Sequence, residues 1–272
     1  MSRTDRLTGR ALLAVFCAGV LIPFAALLLA ALNPPGTPLS GLSLPEHPTL
    51  AAFGRAWSTA GFGRLLANSA MVGLGVVPLA LFCATLAGYA FATMRFRGRE
   101  VIFGLLLLGL TLPYEAAVVP LYYDLRSLGL TDTPVSLILA LVGLYMPFGA
   151  FWMRQQFTAL PKELLEAASL DGASSWTVLW KVLVPCVRPA LTTLGLLYFL
   201  WAWNQFLLTL ILIQTPAHRT APAGLAFFVG AHTTDVPMLA AATLIVIGPV
   251  VLVYLLFQRN FVAGMVAGAV KG

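Results

Sequence analysis

The chain has 272 residues, enough for one or two soluble domains by length alone. Composition excludes that: 60% of the residues are hydrophobic and only 10% are charged, where soluble domains carry roughly 25%. So few charges cannot cover a water-facing surface, and the net charge of +6 reads as a membrane-topology signal rather than a nucleic-acid footprint.

A helix needs about 20 apolar residues to cross the hydrocarbon core. Six stretches meet that length: residues 11–32, 67–94, 101–123, 134–153, 189–213 and 238–257. The expected fold is therefore all-α, a polytopic membrane protein with six transmembrane helices in one domain spanning residues 1–272. The first stretch follows Arg3, Arg6 and Arg10. It exceeds the roughly 7–15 apolar residues of a signal peptide, so it is expected to be retained as a span. The connection 33–66 opens with the helix-breaking Asn33-Pro34-Pro35-Gly36, and its later part, 50–66, is expected to hold a short helix along the membrane surface. The third stretch is interrupted by Pro113 and Pro120.

Basic residues set the orientation. With the N-terminus inside, the inner segments hold Arg3, Arg6, Arg10, Arg95, Arg97, Arg99, Arg154, Lys162, Lys181, Arg188, Arg259 and Lys271. The outer segments hold Arg55, Arg64, Arg126 and Arg219, a split of 12 against 4 among the 16 cations. Both termini are expected in the cytoplasm.

Catalytic motifs are missing. A P-loop needs Gly-Lys followed by Ser or Thr, and the only lysines follow Pro161, Trp180 and Val270. No HExxH, GxSxG or strand-borne GxGxxG occurs, and six spans consume at least about 120 residues. The longest inner loop, 154–188, is too short for a nucleotide-binding fold. Cys17, Cys83 and Cys186 are far apart, and His47, His218 and His232 are scattered, so neither a metal site nor a disulfide framework is expected. No catalytic residue and no cofactor is assigned to this chain. If ATP drives it, hydrolysis occurs on another subunit.

The inner loop at 160–185 carries the strongest pattern. Pro161 suits a helix start, Glu163 falls in the first turn where the dipole favours an anion, and Gly172 can take the left-handed conformation that ends a helix. Ser174 or Ser175 can cap a second helix through Trp176, Leu179 and Leu183, until Pro185 and Pro189 redirect the chain. Ala167 and Ala168 leave one side thin enough for another protein surface to approach. Physics alone leaves two readings open, a coupling knob or an ordinary amphipathic helix on the membrane surface.

Glu166-Ala167-Ala168, then Asp171-Gly172-Ala173, then Leu183 and Pro185, resembles the EAA motif of binding-protein-dependent ABC permeases. Asn68-Ser69, Ala87-Gly88-Tyr89-Ala90-Phe91-Ala92, Arg95-Phe96-Arg97-Gly98-Arg99, Pro120-Leu121-Tyr122, Leu128-Gly129-Leu130-Thr131-Asp132-Thr133 and Trp203-Asn204-Gln205-Phe206 are similar to the carbohydrate-uptake branch. The tail from Gln258 to Gly272 resembles the C-terminus of the MalG-like subunits. The resemblance implies the type I importer permease fold and a division of labour. A second permease subunit, a related but different chain, completes the pore. Two ATPase subunits bind ATP and Mg, and an extracytoplasmic solute-binding protein delivers a sugar. Glu166, Ala167, Ala168, Asp171, Gly172 and Pro185 would then couple this chain to an ATPase, with Glu166 as the anchor and Asp171 either bracing the turn or making contact.

Polar groups inside spans default to a functional hypothesis. Glu115 is expected to face the bundle interior, and Asn204 and Gln205 beside Trp201 and Trp203 offer amide and aromatic surfaces that suit a sugar. Interhelical bonding by Asn204 and an interfacial belt for the tryptophans are the bland alternatives. Other readings of the whole chain are a permease for glycerol phosphate or another non-sugar solute, and an ATP-independent transporter.

Overall fold

We describe a computed structural model in which residues 3–39, 44–230 and 234–269 are placed. The chain is helical throughout, and the described residues contain no β-strand, only an isolated bridge between Val229 and Thr234. The helices in chain order are α1 (Arg3–Ala31), α2 (Ala51–Ala60), α3 (Phe62–Thr93), α4 (Arg99–Leu108), α5 (Tyr114–Ser127), α6 (Pro134–Thr158) and α7 (Lys162–Leu170). They are followed by α8 (Ser175–Cys186) and α9 (Arg188–Trp203), then α10 (Leu207–Leu212) and α11 (Val236–Ala269). Short 3₁₀ segments at Pro216–His218 and Pro222–Phe228 link α10 to α11.

Among the described residues, four helices are long and apolar enough to cross a bilayer: Thr8–Ala31, Phe62–Thr93, Pro134–Thr158 and Val236–Gln258. Together α8 and α9 make a fifth candidate, bent by 83° between them. The count of six expected spans is therefore not fully matched, and the helices depart from the expected stretches at two places. The 101–123 stretch divides into α4 and α5, 10 and 14 residues long. At 1.5 Å per residue these reach about 15 and 21 Å, short of the roughly 30 Å core. Pro113 lacks an N–H and pushes its predecessor out of the helical region, while α4 closes through tightened bonds from Gly109 N to Leu106 O (3.1 Å) and Leu110 N to Leu107 O (2.9 Å). The 189–213 stretch ends its long helix at Trp203, where the backbone N and the side-chain amide of Asn204 both donate to Leu200 O (3.1 and 2.8 Å). The short helix expected on the surface within 50–66 is present as α2, ended by Gly61 in the left-handed conformation.

The chain forms two compact units, residues 1–66 with 221–249, and residues 67–220 with 250–272. In the first, α2 packs on the 3₁₀ segment Pro222–Phe228, Phe62 stacks on Phe228 at 6.3 Å, and Ala52, Ala56, Ala240, Ala241 and Ala242 are buried in the same cluster. In the second, α6 is the central helix, and its partners are α9, α4, α5 and α10. Tyr145 of α6 stacks on Tyr198 of α9 with ring centroids 5.5 Å apart, and the Tyr198 hydroxyl donates to Tyr145 O (3.2 Å).

Gly88 allows α3 to approach α6 closely: a Cβ there would collide with Met153 Cβ and lie 2.8 Å from Arg154 N. Small residues at such crossings are how membrane helices gain packing energy when lipid offers no hydrophobic contrast. One residue on, Tyr89 meets Phe157 edge-on at 6.3 Å, beside the end of α6 that leads into α7.

Candidate functional site

The 160–185 loop folds as two helices around a tight stop. Pro161 precedes α7 with φ of −58°, and Glu163 lies in the first turn. At the other end Gly172 N donates to Ser169 O (3.1 Å) and Ala173 N donates to Ala168 O (3.0 Å), with Gly172 at φ +67°. This pair of bonds is the Schellman arrangement, which satisfies the orphan carbonyls of the last turn. Ser174, rather than Ser175, caps the next helix by accepting from Thr177 N (3.3 Å). The middle of α8, Val178–Leu183, is a π-helical turn, a form that often marks functional sites.

One face of this knob is seated. Ala168, Val178, Leu179 and Leu183 are buried in the main core with Tyr89, Met153 and Phe157, and Leu165, Ala173 and Val184 pack against it. Leu179 and Leu183 are each 1% exposed, and burying such side chains contributes about 1.5–3 kcal/mol apiece. The other face is bare: Glu163, Glu166, Ala167, Asp171 and Gly172 are exposed, and Leu170 is 88% exposed. Ala167 and Ala168 therefore divide their roles, Ala168 fixing the helix to its own core and Ala167 facing outward. Pro185 is half-buried, just before the 83° bend into α9.

The residues read from sequence as substrate contacts do not converge. Glu115 is exposed in the first turn of α5. It does not face the interior of this chain; the break at Pro113 creates a new helix N-terminus, and Glu115 lies in its first turn, where the dipole accommodates a carboxylate. Asn204 is exposed at the end of α9, and Gln205 Oε1 accepts from Leu208 N (3.4 Å). Trp203 is only 4% exposed and packs on Phe199 at 5.5 Å, which makes it a core residue.

Of the two tryptophans read from sequence beside Asn204, Trp201 is the accessible one. It is 37% exposed, lies 5.0 Å from Phe148 and 5.4 Å from Tyr145, and falls three residues before Asn204, on the same helix face. Tyr145 beside it is 6% exposed, and its buried hydroxyl has no hydrogen-bond partner among the described residues.

Two of the quoted sequence patterns meet in a hydrogen-bonded clasp. Asp132 stands at a left-handed φ of 61°, and its carboxylate accepts from Thr215 N (2.9 Å) and Thr215 Oγ1 (2.6 Å). These two bonds hold the Asp132 carboxyl below the usual aspartate range, with His218 adding to the effect. Asp132 N donates to Leu212 O (2.8 Å), and the Asn68 amide donates to Ala217 O (2.9 Å) and Arg219 O (3.0 Å). Asn68 and Asp132 thus both fix the 212–219 segment. His232 and the tail residues Val270, Lys271 and Gly272 lie outside the described residues. Among the described residues no group of three or more His, Cys, Asp or Glu could hold a metal ion.

Residues 77–266 match the family described as binding-protein-dependent transport system inner membrane component. The chain is 34% identical over 260 residues to the diacetylchitobiose uptake system permease protein NgcG of Streptomyces coelicolor, covering 94% of this chain and 86% of that one. It is 34% identical over 254 residues to the trehalose transport system permease protein SugB of Mycobacterium tuberculosis, covering 93% of each. Among solved structures it superimposes, with a TM-score of 0.81 and 25% identity, on a chain of a bacterial ABC transporter involved in the import of the acidic polysaccharide alginate, covering 96% of this chain and 99% of that one. A helical protein with several apolar membrane-length helices and this match over most of its length belongs to the binding-protein-dependent transport system inner membrane component family.

Proposed function

We propose that this chain forms half of the membrane pathway of an ATP-driven importer, with both termini in the cytoplasm, and that the 160–185 loop docks on an ATPase subunit. The observation that carries the reading is the knob itself. One face of α7 is locked into the core, and the other presents Glu166 with no hydrogen-bond or ion-pair partner among the described residues, flanked by Ala167 and Leu170. A helix fixed on one side and bare on the other is built to pass a displacement inward as a unit. Glu166 would pair with a cation of the ATPase, Ala167 would allow close approach, and Gly172 would hold the bend.

The transported solute we propose is a sugar delivered by an extracytoplasmic binding protein, as the names of NgcG and SugB suggest for those relatives. Residues 67–93, 134–153 and 189–203 contain no Lys, Arg, Asp or Glu, which suits a neutral, hydroxyl-rich solute. Trp201 and Asn204 would offer it an aromatic face and an amide. The second permease chain would complete the route. The test is reconstitution: the chain, expressed with its neighbouring transport genes, should co-purify with ATPase subunits and support ATP-dependent uptake of a sugar. Uptake that proceeds without those subunits, or that selects glycerol phosphate over sugars, would refute the corresponding half of the proposal.

A further inference from the structure

The loop between α3 and α4 is built around a fixed ionic frame. Glu100 accepts from Arg154 Nη2 at 2.9 and 3.0 Å through both carboxylate oxygens and from Arg99 Nε at 2.9 Å. The Arg154 bonds first, then those of Arg99, hold the Glu100 carboxyl below the usual range. Arg99 also donates to Met94 O at the end of α3 (3.1 Å), and Arg154 lies over the Phe103 ring, 4.0 Å from its centroid. Phe103 in turn meets Phe91 at 5.2 Å, and Phe91 meets Phe96 at 6.0 Å. The frame pins the start of α4 to the ends of α3 and α6.

Arg95 and Arg97 are not part of this frame. Both are exposed and have no hydrogen-bond or ion-pair partner among the described residues. With Glu100 already neutralised, the group formed by Arg95, Arg97, Arg99, Arg154 and Glu100 carries four positive charges and one negative, a net of about +3. A cavity of about 530 Å³ opens here, lined by Arg95, Phe96, Gly98, Arg99, Glu100 and Val101. Beyond it the surface turns apolar at once: Phe96, Val101, Ile102 and Leu105 are all exposed.

We propose that this cavity binds the headgroup of an anionic phospholipid, with Arg95, which lines it, on the phosphate, Arg97 adding its positive charge from beside the cavity, and the acyl chains along Val101, Ile102 and Leu105. Charge complementarity and the immediate passage from cation to apolar side chains fit a molecule that is itself anionic at one end and hydrocarbon at the other. A soluble phosphate would leave the apolar strip unused. A purely acidic protein surface would likewise leave the apolar strip at Val101, Ile102 and Leu105 unused. Basic pockets between membrane helices recognise anionic headgroups in this way. The occupant would tie the α3–α4 junction to α6, the helix that leads into α7, so lipid composition would influence the same helix as the coupling loop.

The experiment uses the full chain purified with its partner subunits and carried in nanodiscs, read by native mass spectrometry with phosphatidylglycerol or phosphatidylcholine. Wild type is expected to retain phosphatidylglycerol selectively and to keep it in the presence of millimolar inorganic phosphate. The double substitution Arg95→Gln, Arg97→Gln should weaken that retention roughly 30-fold, from about 1 kcal/mol for each cation near an anionic lipid surface. Arg55→Gln with Arg64→Gln, which removes two exposed cations elsewhere, should leave it unchanged. Equal retention of the two lipids by wild type overturns the proposal without reference to any variant. Displacement by phosphate, retained binding in the Arg95/Arg97 variant, or an equal loss in the Arg55/Arg64 control overturns it too. So does crosslinking of positions 95 and 97 to a partner subunit in place of lipid.

Discussion

Replacing Gly88 by Ala tests whether the close approach of α3 and α6 holds the coupling loop's foundation in place. The added methyl would overlap Met153 Cβ and lie 2.8 Å from both Arg154 N and Met153 C. An ordinary carbon contact sits at about 3.5–4.0 Å, so the helices must separate by roughly 1 Å, and backbone atoms cannot rotate away. Overpacking of this kind costs about 1–3 kcal/mol. For a chain of this size that corresponds to a fall of about 2–4 °C in unfolding temperature per kcal/mol. Gly143 provides the control within α6 itself: it is exposed, and a Cβ there meets nothing within 4 Å. Gly143→Ala should be neutral or stabilising by about 0.5–1 kcal/mol, since Ala loses less conformational freedom in a helix. Thermal unfolding of both variants in detergent decides the matter. Equal unfolding temperatures for the two would refute the packing argument, because both gain the same methyl group.

Three further perturbations address the site. At Gly172 a Cβ meets open space, so only the φ of +67° resists substitution. A left-handed L-residue costs about 1–2 kcal/mol, and Gly172→Val should weaken retention of ATPase subunits about 5- to 30-fold. Gly172→Asn, which tolerates that conformation, should stay near wild type, and an Asn variant as weak as Val would contradict the bend's role. Asp132→Ala removes the acceptor for Thr215, and hydrogen exchange should accelerate across 212–219; unchanged exchange there would refute the clasp. The pH dependence follows from the lowered Asp132 pKa. The clasp's contribution is complete above the ordinary aspartate value of about 3.9 and is lost as pH falls through the lower folded value, so protection across 212–219 in wild type, taken relative to the intrinsic exchange rate at each pH, should be flat from neutral pH down to about 4. Finally, Trp201→Ala and Asn204→Ala should each raise the uptake KM, whereas Trp203→Ala should lower stability instead. Normal uptake by the first two would remove them from the route.

Much of the fold is legible in the sequence because lipid imposes a length rule that apolar runs either satisfy or fail. The stretches at 67–94 and 134–153 appear as α3 and α6 within a few residues. Hydropathy fails where backbone chemistry overrides it. The runs at 101–123 and 189–213 are apolar enough, yet Pro113 removes a donor in one, and the helix of the other stops at Trp203, where Asn204 caps Leu200 O with its side-chain amide. In the 160–185 loop the helical stop was readable at Gly172, whereas the serine cap stayed open between Ser174 and Ser175, because either hydroxyl can accept from the following turn. The exposure of the tryptophans was not readable. A tryptophan's direction depends on helix phase, and without knowing where α9 ends, the buried Trp203 and the exposed Trp201 cannot be told apart.

The most direct measurement is a crosslink. With Cys17, Cys83 and Cys186 replaced by Ser, single Glu163→Cys, Glu166→Cys and Leu170→Cys variants are treated with a short bifunctional reagent in vesicles containing the assembled transporter. Exposed positions on α7 should join the ATPase subunit, more strongly at 166 and 170, and the yield should change when ATP is added. A Cys at position 168, whose native alanine faces the core, should not react. Crosslinks that go only to lipid-facing partners or to this chain itself, with no ATPase product in any nucleotide state, would contradict the account.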